Sequence, residues 1–171
     1  TAKMGLMQNL SPGEIIDQLI IIRKFSSQPI NNVVYMGMGE PFLNYESVIK
    51  SANILNNKKG FNISSKKITI STVGIVPKIK QFIDEKIKYR LAISLNASND
   101  LIRDNIMPVN KKWPIAELIN MNKIYSFIII SFLFPNISQV KSINNFTFNN
   151  FSLNKEVLTD RNIVDFLIDH N

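Results

Sequence analysis

The spacing of apolar residues changes along the chain between helical and strand periods. Ser11-Pro12-Gly13-Glu14 precedes Ile15, Ile16, Leu19, Ile20 and Ile22, a wide apolar stripe at helical spacing. Ser11 suits an N-cap, Pro12 the first helical position and Glu14 the third, where its carboxylate completes a capping box. A helix is therefore predicted to about Phe25. Asn31 to Met38 reads as a short buried strand centred on Val33-Val34-Tyr35-Met36 and ending in Gly37-Met38-Gly39-Glu40-Pro41. A second helix is predicted from Glu46 to Asn56, with Val48, Ile49, Ala52 and Leu55 inward and Gly60 as its C-cap. Lys67 to Thr72 alternates, placing Ile68 and Ile70 opposite Thr69 and Ser71. A helix over Pro77 to Glu85 follows, then a strand over Tyr89 to Leu95, helices over Asp100 to Met107 and Pro114 to Tyr125, and a strand over Phe127 to Phe134.

Strand and helix thus alternate in steps of about 30 residues, the length of a βαβ crossover. This pattern predicts an α/β fold with a parallel sheet. The polar and glycine residues gather just after the strands, at Gly39-Glu40, Ser71-Thr72 and Ser94-Leu95-Asn96. In parallel α/β folds that end of the sheet binds ligands. Three strands delivering polar groups to one rim say more than any one of the strings. Past Pro135 the periodicity is lost. Ser138 to Asn154 is rich in Asn, Phe and Ser, and only Thr159 to Ile168 has the spacing of a short helix. All six glycines lie at or before Gly74. Residues 1–135 are therefore expected to form the α/β domain and 136–171 a divergent or disordered tail.

The 171 residues carry no cysteine, one histidine and 20 basic against 13 acidic side chains. No disulfide, thiolate-held metal or cysteine nucleophile comes from this chain. A lone histidine, His170, makes a Ser-His-Asp triad improbable. The net charge of +7 suits a polyanionic partner. No apolar run reaches the ~18 residues of a membrane span, and the amino terminus lacks the apolar core of a secretory signal, so a cytoplasmic protein is expected.

Met36-Gly37-Met38-Gly39-Glu40-Pro41 is the most informative string. Glycines after a strand let a ligand approach the backbone, and the carboxylate beside them can hold an ammonium group. The plain alternative is a tight turn with a solvated glutamate. Ser71 and Ser94 offer hydroxyls at strand ends, where ordinary strand termini look the same. Asn99-Asp100 reads as a helix cap. Lys111-Lys112-Trp113 offers two cations and an indole that could meet phosphates and a base, or could be a solvated loop with Trp113 laid on the core.

Taken in order, Thr1–Gly5, Asn9–Ile15, Met36–Asn44, Lys67–Pro77, Leu91–Asp100 and Met107–Lys112 resemble the radical S-adenosylmethionine enzymes that methylate adenine carbon 2 in 23S ribosomal RNA and some transfer RNAs. Relatives acting on carbon 8 share much of the pattern. The resemblance covers roughly residues 1–125 and implies a partial (β/α) barrel with S-adenosylmethionine across its rim. By this resemblance Gly39 and Glu40 hold the cofactor's methionine amino group, and Ser71, Ser94, Leu95 and Asn96 also bind the cofactor. Asn96 stands where the family has histidine.

The family also uses a [4Fe–4S] cluster on a Cys-x-x-x-Cys-x-x-Cys loop, a methyl-carrying cysteine near the carboxyl terminus and an electron donor such as flavodoxin. None of these cysteines is in this chain, and the cluster loop's last cysteine would fall just before Thr1. The chain is therefore expected to be a central segment, monomeric and inactive alone, with ribosomal and transfer RNA as the parent enzyme's partners. Two rival readings are a non-catalytic basic RNA-binding remnant and an unrelated barrel enzyme acting on a phosphorylated small molecule. The second would need a late glycine-rich phosphate loop, which the glycine-free tail does not supply.

Overall fold

The computed structural model describes residues 8–124 and 128–131 of the chain, and the expected tail and its short helix lie outside them. The first helix, α1, runs Pro12–Phe25, and the predicted capping box is formed in full. The Ser11 hydroxyl accepts from the Glu14 amide at 3.3 Å, and the Glu14 carboxylate accepts from the Ser11 amide at 2.7 Å. The Ser11 amide, and then the Ser11 hydroxyl beside it, also hold the Glu14 carboxyl below its ordinary pKa. Of the wide apolar stripe only Ile16 and Leu19 are buried. Ile20, Ile21 and Phe25 face solvent.

Strand β1 is short, Val33–Tyr35. A single 3-10 turn, Pro41–Asn44, leads into α2, Tyr45–Asn56. Gly60 does not cap α2 as expected. The helix closes on Asn57 in extended conformation, and Gly60 sits in the following turn without a positive φ. Strand β2, Ile68–Thr72, is followed by α3, Val76–Asp84. Strand β3, Arg90–Ser94, is followed by α4, Asp100–Ile106, which is capped by Asn99. The 3-10 turn Pro108–Lys111 precedes α5, Ile115–Ile124, and β4, Ile128–Ser131.

The four strands are parallel in the order β1-β2-β3-β4, so every connection crosses over through a helix. Register decides what each face carries. Ile70 pairs with Leu91 and Thr72 with Ile93, while Ser71 pairs with Ala92. Ile68, Ile70, Leu91 and Ile93 join Val48, Ala52, Ile79 and Phe82 in one core cluster. The opposite face carries Thr69, Ser71, Ala92 and Ser94, which are small or hydroxylated, with the exposed Arg90 at its amino end. An apolar face under helices and a small, polar opposite face are the two sides of a (β/α) barrel wall. The α/β class and the parallel sheet expected from the sequence are both present.

Two glycines after strands have positive φ, Gly39 at +108° and Gly74 at +105°. They differ in their surroundings. A Cβ on Gly39 would meet nothing within 4 Å, whereas one on Gly74 would lie 2.8 Å from both Leu118 methyl carbons. Gly74 therefore serves conformation and close packing together, and Gly39 conformation alone. We expect Gly74→Ala to lose about 2–4 kcal/mol, by strain plus overpacking, and Gly39→Ala about 1 kcal/mol. Urea denaturation of the two variants checks the order; equal losses would contradict it.

Candidate cofactor rim

At the carboxyl end of the sheet, Glu40 links the first two strands. Its Oε1 accepts from the Phe42 amide at 3.0 Å, capping the 3-10 turn, and its Oε2 accepts from the Val73 amide at 2.8 Å. The Thr72 hydroxyl also donates to it. Burial pushes the carboxyl above its ordinary pKa, and the three hydrogen bonds oppose that shift in part. All three donors are neutral, so the ionised carboxylate has no cation matched to it among these partners. Glu40 is thus a half-buried rim carboxylate, and the solvated turn glutamate of the plain reading is corrected.

Ser71 and Ser94 come together. Their hydroxyl oxygens are 3.2 Å apart on the small-residue face of β2 and β3, and both side chains are buried. Asn96 follows β3 with φ +57°, a left-handed conformation that asparagine adopts more readily than most residues. Its Nδ2 donates to the Met107 sulfur at 3.5 Å, a weak acceptor. Its Oδ1 is buried and finds no hydrogen-bond partner among the described residues. Leu95 is itself buried, and its carbonyl accepts from Arg103. Gly39, Glu40, Ser71, Ser94, Leu95 and Asn96 therefore all lie at the carboxyl end of the sheet. Across the strands, Ser71 and Ser94 are joined by a side-chain hydrogen bond.

Sequence reading missed Arg103. It sits on α4 and has 0% exposure, a rare state for an arginine. Its Nε donates to the Leu95 carbonyl at 2.9 Å, and its Nη1 to Asn110 Oδ1 at 2.7 Å. Its Nη2 reaches the carbonyls of Val73 and, at 3.3 Å, Ser94. Asn110 in turn donates to Asp100 at 2.8 Å and to Asp104 at 2.7 Å. One guanidinium thus fastens the exits of β2 and β3 to α4 and to the turn after it. The only sequence signal was an arginine in a helix four residues after a capping asparagine. Trp113, by contrast, takes the plain role offered for it. It packs on the core with the Lys112 ammonium 4.8 Å over its ring.

Among the described residues no three His, Cys, Asp or Glu side chains come close enough to hold a metal ion. No described helix is long and apolar enough to cross a membrane.

A solved radical SAM methyltransferase from Sphaerobacter thermophilus superposes with a TM-score of 0.70 and 36% identity, over 76% of this chain and 40% of that one. The fold is therefore a segment of a radical SAM methyltransferase barrel. The chain is also 53% identical over 122 residues to the probable dual-specificity RNA methyltransferase RlmN of Dictyoglomus turgidum, a match to 70% of this chain and 35% of that protein. With the RlmN protein of Thermotoga neapolitana it shares 49% over 125 residues, 73% of this chain and 36% of the other. No protein-family model matches. The chain is thus similar to a segment of proteins named dual-specificity RNA methyltransferases, and it spans about a third of the length of the curated relatives it matches.

Two predictions rest on the Arg103 network. Arg103→Met leaves three carbonyls and the Asn110 amide oxygen without their donor. It should cost about 3–5 kcal/mol in urea denaturation, and a loss under about 1 kcal/mol would remove the network from the account. Asp100 is held below its ordinary pKa first by the Ile115 amide and then by Asn110, with Arg103 adding a smaller attraction. A lowered carboxyl stabilises the fold above its unfolded pKa and loses that effect as pH falls through the folded one. The stability gap between wild type and Asp100→Asn should therefore be open at pH 7 and close below about pH 4. A gap unchanged by acid would contradict this.

Proposed function

We propose that this chain supplies the cofactor rim of a radical S-adenosylmethionine RNA methyltransferase and that the parent enzyme methylates an adenine carbon in ribosomal and transfer RNA. The observation that carries the proposal is the gathering of six rim residues at the carboxyl end of a parallel sheet, in a segment about half identical to named RNA methyltransferases. When bound and cleaved by one electron from the whole enzyme's iron–sulfur cluster, S-adenosylmethionine would supply a carbon radical, which adenine methylation requires because carbon 2 is not nucleophilic.

The residues present fit that cofactor. Gly39 offers open space on a backbone that only glycine adopts without strain. Glu40 brings a half-buried carboxylate whose charge faces neutral donors alone. An ammonium group beside it would supply the missing cation and favour the ionised form. A carboxylate has about four lone-pair sites and the two backbone amides occupy two of them, which leaves room for a ligand beside the Thr72 hydroxyl. Ser71 and Ser94 carry a hydroxyl pair whose protons can turn toward a ligand. Asn96 adds a buried carbonyl oxygen in need of a donor. Such a group costs about 1–3 kcal/mol while unpaired, and an adenine or amino N–H would relieve that cost.

The cluster does not fit this chain. Its ligands in the resembling family are cysteines, and none of the 171 residues is one. The segment alone is read as inactive. The electron donor and the RNA belong to the whole enzyme.

Titration calorimetry with S-adenosylmethionine tests the rim. Glu40→Gln keeps the shape and removes the charge, and should weaken binding about tenfold or more, the worth of a charge-assisted hydrogen bond. Binding by this variant equal to that of wild type would take Glu40 out of the site.

A further inference from the structure

The amino-terminal end of the sheet, opposite the rim, carries two adjoining concavities of about 560 and 280 Å³ that share Asn62 and Ser64. Their lining contains Lys58 and Lys88 in the larger and Arg23 and Lys67 in the smaller, and no carboxylate in either. All four cations are exposed. Each comes from a different element: Arg23 from the last turn of α1, Lys58 from the turn after α2, Lys67 from the residue before β2 and Lys88 from the approach to β3.

We propose that this basal face binds the phosphodiester backbone of RNA. The inference rests on the RNA reading above and assigns to it a surface away from the cofactor rim. Three features favour an extended polyanion over a small anion. The cations are spread across two open concavities on four elements, so they match a line of charges better than a point. Two of the asparagines around them are set to donate, Asn53, whose Oδ1 is taken by the Tyr89 hydroxyl at 2.6 Å, and Asn57, whose Oδ1 is taken by the Lys59 amide at 2.9 Å, while Asn56 Nδ2 is spent on the Ile63 carbonyl at 2.7 Å. The Nδ2 amides of Asn53 and Asn57 then remain for phosphate oxygens. Arg23 lies 5.5 Å over the Phe61 ring, and a stacked guanidinium keeps its N–H edge for a phosphate.

The carboxyl ends of α1, α2 and α3 also point to this side and bring roughly half a negative charge each. The four cations outweigh them. Fastening helix ends accounts for Arg23 and Lys58; Lys67 closes a short 3-10 turn, and Lys88 lies four residues past α3, each just before a strand.

The test is fluorescence anisotropy of the whole chain with a labelled RNA hairpin, titrated across a range of salt. Lys58→Gln with Lys88→Gln should weaken binding about tenfold and flatten the log K against log salt slope by about 2, one for each lost phosphate contact. The residues are exposed, so thermal melting followed by circular dichroism should be unchanged. Lys111→Gln with Lys112→Gln, in the turn near the rim, should have the smaller effect. Wild-type binding that the basal pair leaves intact would overturn the basal site and leave the RNA reading standing. An equal or greater loss from the Lys111 and Lys112 pair would also overturn it, by moving the contact to the rim. Absence of salt-dependent binding by wild type would overturn both.

Discussion

The rim depends on one buried cation. A parallel sheet ends in loops that belong to separate βα units, and nothing in strand pairing fixes one exit against the next. Here the Arg103 guanidinium does so, donating to backbone carbonyls after β2 and after β3 from a helix that follows both. The carbonyls it binds belong to Val73, Ser94 and Leu95, the residues among which the candidate ligand groups stand. Desolvation lowers its pKa, while Asp100 and Asp104 act in the opposite sense. An arginine at that depth keeps its proton regardless. Asn110 lets the two carboxylates share the network through an amide. The charge is thereby balanced over several residues, as a buried charge must be if it is not to cost several kcal/mol.

With the loops fastened, strand register does the rest. The period of two that puts Ile68, Ile70, Leu91 and Ile93 under the helices puts Ser71 and Ser94 on the other face, where they meet. A slip of one residue in either strand would bury the serines under helices and expose the isoleucines. Glu40 closes the remaining side by reaching from β1 to the Val73 amide. The carboxylate that makes the rim a plausible ammonium site is therefore also one of its fasteners. The chemistry and the architecture share side chains, and the ends of the sheet divide the labour. Fastened polar groups gather at the carboxyl end, and exposed cations at the amino end, in concavities whose described lining holds no carboxylate.

Much of this was legible in the residues. Local signals with a direct backbone cause came through: the capping box at Ser11 and Glu14, the Asn99 cap, and alternation in β2. The positions of Gly39, Glu40, Ser71, Ser94 and Asn96 at one end of the sheet followed from strand order alone. Three things did not. Gly60 looked like a helix cap because a lysine pair and a glycine followed an apolar stripe, but α2 ends at Asn56, four residues before it. The exposure of Ile20, Ile21 and Phe25 was hidden because periodicity shows which residues share a face and not how much of that face is covered. Arg103 was invisible because its partners are carbonyls from loops far apart in sequence, and a backbone carbonyl leaves no mark on residue identity. The role of Asn96 lay between these cases. Its place was readable from the string, but its left-handed backbone and its orphaned Oδ1 required the structure.

The central claim is that the carboxyl-end rim receives S-adenosylmethionine through this chain's own residues. Amide chemical-shift mapping by heteronuclear NMR, with the cofactor titrated into the whole chain, tests it most directly because it locates even weak binding. The account predicts saturable shifts at Gly39, Glu40, Ser71 to Gly74 and Ser94 to Ala97, with the basal residues around Asn57 and Asn62 unmoved. Shifts confined to the basal face, or none at the rim at a saturating concentration, would contradict it.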